Sequence, residues 1–337
     1  MPQTFTDSAK DRLDRYLKDH EIKAEIEQLT PDASTREFYR IRSYPETSIV
    51  CIYPEKFDET LPQIDVTNLF LRSGLPVAVI FDTDFELGIV HHEDFGDTIL
   101  RDVLEASSSG TRETLIGEAI SLIARIQNST ANAFELDSIA SRLRFDTEKL
   151  LWELNFFKTH YFQSLKNETI PKETEANINK EFTDLARELE ECATVLTHRD
   201  FHAANLMVSG SGELKIIDHQ DARIGSAAYD LVSLLLDRIT ESPEKDWLDS
   251  KKRFFLDQRG KLGLPPIAAD KFDHEFDLMT VQRCLKAIGT FSNQAGNFGK
   301  THYVQYIEPM FAVVRDACIS IGRFPNLRNL IENILDK

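Results

Sequence analysis

The sequence predicts an α+β protein of two unequal parts. One is a small, mostly antiparallel sheet with an inserted helix, spanning residues 1–93; the other is a larger, mainly helical part, residues 94–337. Three observations carry that prediction. Short extended segments crowd the first part, apolar residues recur at helical spacing through most of the second, and a strand-like hairpin interrupts the helices at residues 194–221.

In chain order, residues 7–19 put Ala9, Leu13, Tyr16 and Leu17 on one helical face, with Thr6 or Asp7 as cap. Residues 24–30 and 37–42 read as strands joined by the polar link Pro31–Thr35. Ser48–Tyr53 is a third strand, stopped by Pro54. A helix over 61–73 ends at Gly74, and Val77–Phe81 and Leu87–His91 are two more short strands. Ser107–Gly110 reads as a linker. Helices follow at 112–128, at the aromatic-rich 150–165, and at 178–191, 271–292 and 303–320. The aromatics of the second helix suit either a core or a sugar-stacking surface.

Composition narrows the function. The 337 residues carry a formal net charge of −17, which argues against a nucleic-acid partner, since phosphate-backbone binding needs clustered Lys and Arg. It leaves room for a nucleotide, which needs only a local cation or a metal ion. No apolar run approaches the roughly 20 residues that span a bilayer, and Met1–Lys10 has no signal-peptide character. A cytoplasmic monomer acting on small molecules, with no membrane partner, is expected. Cys51, Cys192, Cys284 and Cys318 are scattered, as buried or idle thiols are.

The chemistry gathers around the hairpin. Its strands, Asn205–Val208 and Glu213–Asp218, flank Ser209-Gly210-Ser211-Gly212, so Asn205 and Asp218 should lie side by side, with Asp200 a few residues away on the preceding loop. Asn205 and Asp218 are hard oxygen ligands that suit magnesium, whose remaining ligands are normally waters or substrate phosphates. Asp200 can accept a proton from an attacking hydroxyl. Phosphoryl transfer needs this division of labour: charge neutralisation, an oriented nucleophile and little covalent chemistry.

His198-Arg199-Asp200-Phe201-His202-Ala203-Ala204-Asn205 has the spacing of the kinase loop H-R-D-x-x-x-x-N. Continued through Leu206-Met207, it resembles the aminoglycoside phosphotransferase and choline kinase superfamily, which shares the bilobal protein-kinase fold. Ile216–Asp237 resembles, within it, the bacterial N-acetylmuramate/N-acetylglucosamine anomeric kinase family of cell-wall recycling. So do Asp32–Arg40, Glu93–Thr98 and Gln282–Phe291. The resemblance implies ATP as co-substrate, Mg2+ at Asn205 and Asp218, and Asp200 as catalytic base. It implies a phosphate-covering loop with Ser34, Thr35 and Arg36, and an adenine-facing segment at Glu93 and Phe95. Asp230 corresponds to a buried aspartate that supports the catalytic loop, and His198 to a structural histidine. His202, Gln220, Asp221, Arg223 and Arg283 are candidate acceptor-binding residues, each with an equally good structural reading.

Two departures stand out. Asp218-His219-Gln220 replaces D-F-G, and no A-P-E segment follows it, so a protein kinase is a poor reading. Ser48–Tyr53 lacks the usual strand lysine, and Arg36 is the candidate replacement. The expectation is therefore an ATP-dependent amino-sugar kinase acting on the C1 hydroxyl. An aminoglycoside or choline-type phosphotransferase, or a nucleotide-binding pseudokinase, are the alternatives.

Overall fold

The computed structural model describes residues 5–30, 35–43 and 45–336. The chain divides into two compact units, Met1–Ala106 with Ala204–Asp221, and Ser107–Ala203 with Ala222–Lys337. The division falls after Ala106 rather than after residue 93, and the hairpin belongs with the N-terminal segment.

The first unit is built on a five-stranded antiparallel sheet of order β1-β2-β3-β5-β4: β1 (Glu25–Leu29), β2 (Glu37–Ser43), β3 (Glu46–Ile52), β4 (Ile80–Asp84) and β5 (Ile89–Glu93). β2 and β3 pair in a register that sets Tyr39 against Val50. Helix α1 (Ala9–Asp19), capped by the Ser8 hydroxyl on the Asp11 amide, lays Leu13, Tyr16 and Leu17 on Tyr39, Ile41, Val50, Ile52 and Ile89. The cap is one residue beyond the pair expected, and β4 and β5 begin two to three residues later than the apolar runs suggest. Helix α2 (Pro62–Arg72) is the inserted helix, with Val66, Leu69 and Phe70 buried.

The hairpin, Leu206–Val208 with Leu214–Ile216, is stitched to this unit by backbone bonds. The Ile216 amide donates to the Pro76 carbonyl and the Val208 amide to the Thr98 carbonyl, both at 2.8 Å.

The second unit is helical apart from one two-stranded pair, Val195–Thr197 with Arg223–Gly225. Its spine is the 30-residue helix Ala269–Phe298, whose Met279–Leu285 stretch is wholly buried. Against it lies Thr147–Lys158, continued by a π-helical turn over Thr159–Leu165. Phe157, Tyr161 and Phe162 are core there, whereas Trp152 is exposed beneath the Lys149 ammonium. The expected linker Ser107–Gly110 is corrected: Ser108 caps the helix Ser109–Asn128 through the Thr111 amide, because a serine run before an apolar periodicity is a cap signal as well as a linker signal. Short helices at 100–106, 130–135 and 139–142, and longer ones at 245–261 and 325–335, are additional to the sequence expectation. All four cysteines are free thiols, and no helix among the described residues is long and apolar enough to cross a membrane.

Candidate active site

In the first unit the turn chemistry of Ser209–Gly212 returns the hairpin on itself, and the Ile217 amide donates to the Asn205 carbonyl at 3.1 Å. That bond sets Asn205 beside the residue preceding Asp218. Asp218 has φ +60°, a left-handed conformation that Asp tolerates better than most residues, and its carboxylate is partly exposed. Arg36 Nη2 stands 3.7 Å from Asp218 Oδ1, and Gln220 Nε2 donates to the same oxygen at 2.9 Å. His219 points the other way: its Nε2 lies 2.7 Å from Thr67 Oγ1 and its ring stacks on Phe70 of α2. The D-H-Q sequence is thereby explained. The histidine anchors the turn to the inserted helix, while Asp218 faces Arg36.

Asn205 and Asp218 offer one amide and one carboxylate oxygen set. Among the described residues no group of three or more His, Cys, Asp or Glu is placed to hold a metal. A two-residue oxygen set fits an ion that takes its other ligands from phosphate or water.

Thr35 is exposed two residues before β2, and Ser34 lies outside the described residues. Glu93 closes β5, exchanging backbone bonds with β3 and accepting from the Val79 amide. Phe95 lies under the Lys215 ammonium, 5.8 Å from ring centroid to Nζ. Sequence reasoning missed the residue that shapes this segment. Arg40 is buried and grips Asp94 in a two-pronged pair (2.7 and 3.2 Å), then reaches Asp97 at 2.7 Å. A bidentate guanidinium–carboxylate pair fixes both direction and distance, so the Glu93–Thr98 segment is tied to β2.

In the second unit Asp200 is ringed by cations. Lys286 Nζ donates to Asp200 Oδ1 at 2.8 Å, and Arg283 Nη2 approaches the same oxygen at 3.4 Å. Burial alone would raise this carboxyl. The charges of Lys286, Arg283 and Arg199 outweigh that and hold it well below the usual carboxylate range. Arg283 also donates to Ser233 Oγ at 3.0 Å and Asp237 Oδ2 at 2.8 Å.

The catalytic-type loop is held from beneath. Arg199 sits at φ +83°, which costs energy for a residue with a β-carbon. Asp230, buried at the start of the helix Tyr229–Leu236, accepts the amides of His198 (2.7 Å) and Arg199 (3.0 Å), which over-determines that turn. Burial pushes the Asp230 carboxyl up to about 6, against the pull of His198 and the two amides. His198 is fully buried, edge-on to Phe201.

The acceptor-binding candidates separate. Gln220 joins Asp218 and Asp221 is half-buried in the first unit. His202 is partly buried in the second unit, lowered to about 4 chiefly by desolvation. Arg223 and Arg283 are both buried, the first with its guanidinium over the Phe145 ring at 5.2 Å, the second paired with Asp200 and Asp237. Lys286 and Asp237 were not singled out. The signal for Lys286 is its i+3 spacing from Arg283, which puts both cations on one helix face.

Comparison with known proteins gives the family and the fold. The model of the phosphotransferase enzyme family matches residues 25–264. An N-acetylmuramate/N-acetylglucosamine kinase of Neisseria meningitidis is 31% identical over 276 residues, covering 81% of this chain and 79% of that one. A protein of the same name from Pseudomonas aeruginosa is 28% identical over 311 residues, 92% and 87% of the two chains. Among solved structures, a choline kinase of Streptococcus pneumoniae superposes with a TM-score of 0.56 at 15% identity, covering 92% of this chain and 100% of its own; at that identity the likeness establishes the fold.

Proposed function

From the premise that this chain belongs to the phosphotransferase enzyme family, we propose that it is an ATP-dependent kinase that phosphorylates the C1 hydroxyl of an amino sugar, N-acetylmuramate or N-acetylglucosamine. The observation that carries the reading is the near full-length relation to two kinases bearing that name, with Asp200, Asn205 and Asp218 all intact. In this reading Asn205 and Asp218 hold Mg2+, which when bound offsets the charge of the ATP phosphates. Arg36, beside Asp218, supplies the phosphate cation that β3 lacks. Thr35 and Ser34 cover the phosphates, and Glu93 and Phe95 border the adenine. Asp200 aims the acceptor oxygen and takes its proton. An anomeric hydroxyl is more acidic than an ordinary alcohol, so a strongly ionised, weakly basic carboxylate suffices. Gln220, Asp221 and His202 remain the candidates for contact with the acceptor.

The cations around Asp200 weigh against a cationic acceptor such as an aminoglycoside or choline. We place the enzyme in the cytoplasm as a monomer, in cell-wall recycling.

The test is a panel of amino sugars, aminoglycosides and choline with ATP and magnesium, read by phosphorus NMR. A doublet from an anomeric phosphate on the acetylated amino sugars is expected. Phosphate on aminoglycosides alone refutes the reading. Arg36→Ala should raise the ATP KM about tenfold, as the loss of one charge-assisted phosphate contact predicts; an unchanged KM removes Arg36 from the phosphate site.

A further inference from the structure

We propose that Lys286 is a positioning residue for the transfer step, its ammonium on Asp200 Oδ1 setting the direction in which that carboxylate meets the acceptor hydroxyl and supplying its counter-charge. The inference rests on Asp200 being the base.

The geometry separates Lys286 from its neighbour Arg283. Arg283 is buried and shared among Asp200, Ser233 and Asp237, so it is part of the scaffold of the second unit. Among the described residues the Lys286 ammonium forms an ion pair with Asp200, with Asp237 also within reach of its charge, and it is partly exposed. Both side chains of the pair are largely buried, so solvent screens it only weakly. It also contributes direction: the 2.8 Å charge-assisted bond, shorter than the 3.4 Å approach of Arg283 to the same oxygen, fixes where Oδ1 stands.

The charged and titratable groups facing Asp200 come from three elements. They are Lys286 and Arg283 from the long helix, Arg199 and His202 from its own loop, and Tyr229 from the helix after the hairpin. In the step itself the acceptor oxygen forms a bond to the γ-phosphorus of ATP, and the bond from that phosphorus to the β,γ-bridging oxygen breaks. ADP leaves with the electron pair, and the hydroxyl proton passes to Asp200. Lys286 then faces a neutral carboxylic acid, so the ion pair is at full strength only before transfer. Its stabilisation of the ionised base makes Asp200 a weaker base in exchange for a fixed aim, a bargain that favours acidic hydroxyls such as the anomeric one.

The experiment measures kcat and kcat/KM against pH for wild type, Lys286→Met and Lys286→Arg, with Asp200→Asn as reference and thermal melts to verify folding. Lys286→Met should lower kcat about tenfold or more through lost orientation. It should also move the acid limb of kcat/KM up by about one pH unit, because an opposite charge at this range lowers a carboxyl by one to three. The ATP KM should stay as it is, and Lys286→Arg should restore the limb and most of the rate. An unmoved acid limb in Lys286→Met, whether or not kcat falls, overturns the inference. Wild-type turnover in Asp200→Asn refutes the base assignment, and the inference falls with it. An inactive Asp200→Asn beside an unmoved Lys286→Met limb refutes the inference alone.

Discussion

His202 shows how much a single side chain's surroundings decide. Its imidazole is desolvated, and the attraction of Asp237 and Asp200 is opposed by Arg238 and Arg283, which leaves it neutral down to about pH 4. In the unfolded chain the same ring protonates near the ordinary value of about 6.5. A folded value below the unfolded one means that the unfolded state binds protons first as pH falls. The stability this residue contributes is therefore full above about pH 6.5 and is lost progressively between about 6.5 and 4. His202→Gln should reduce that acid loss, measured as Tm against pH. In the folded wild type, the His202 ring signals should titrate near pH 4, and titration near 6.5 would show that the ring is solvated. Asp200, Asn205 and Asp218 could be nominated from the sequence because the loop motif and the hairpin after it are local patterns with fixed intervals. Lys286 and Arg40 were not legible, since each meets its carboxylates from a distant segment, 86 residues away for Lys286 and 54 for Arg40. The i+3 spacing marks Lys286 and Arg283 as two cations on one helix face, but nothing local says which carboxylate they meet.

At the scale of elements, the apolar periodicity located the principal helices and strands because burial of one face is a local pattern repeated along the chain. The shorter helices at 100–106, 130–135 and 139–142 were missed: four to seven residues are too few for a period to register. The close seating of the long helix on Thr147–Leu165 was equally silent, although it depends on single residues. A β-carbon on Gly289 would stand 2.8 Å from Phe157 Cα, and one on Gly296 would stand 2.5 Å from the Ser164 carbonyl oxygen. Both neighbours are backbone and cannot rotate away. Ala is favoured over Gly within a helix by about 1 kcal/mol, yet overpacking costs about 1–3 kcal/mol. Gly289→Ala should therefore be net destabilising, with a lower urea midpoint at unchanged m-value. A midpoint at or above wild type would mean that the two helices separate at negligible cost.

For the whole molecule, the order of the chain and the order of folding units differ. Residues 204–221 follow a segment of the second unit and precede another, yet their backbone partners are Pro76 and Thr98. Sequence periodicity cannot show this, because a hairpin's own pattern says nothing about which sheet accepts it. The consequence is a unit that is incomplete when cut at residue 106: the Pro76 and Thr98 carbonyls lose their donors, and Val77 and Ile99 lose their hairpin bridge partners, Ile216 and Met207. Re-exposing the buried Val77 costs about 1.5–3 kcal/mol, a large share of the stability of a domain this small. In the intact protein, the Val208 and Ile216 amides should then exchange hydrogen together with the sheet amides of β2 and β3. They should not follow Leu196 and Ile224, which pair in the second unit. A fragment of residues 1–106 should show weak protection that improves when residues 204–221 are joined to it through a flexible linker. If the fragment alone matches the protection of the full chain, the hairpin is an appendage of the first unit rather than part of what holds it together.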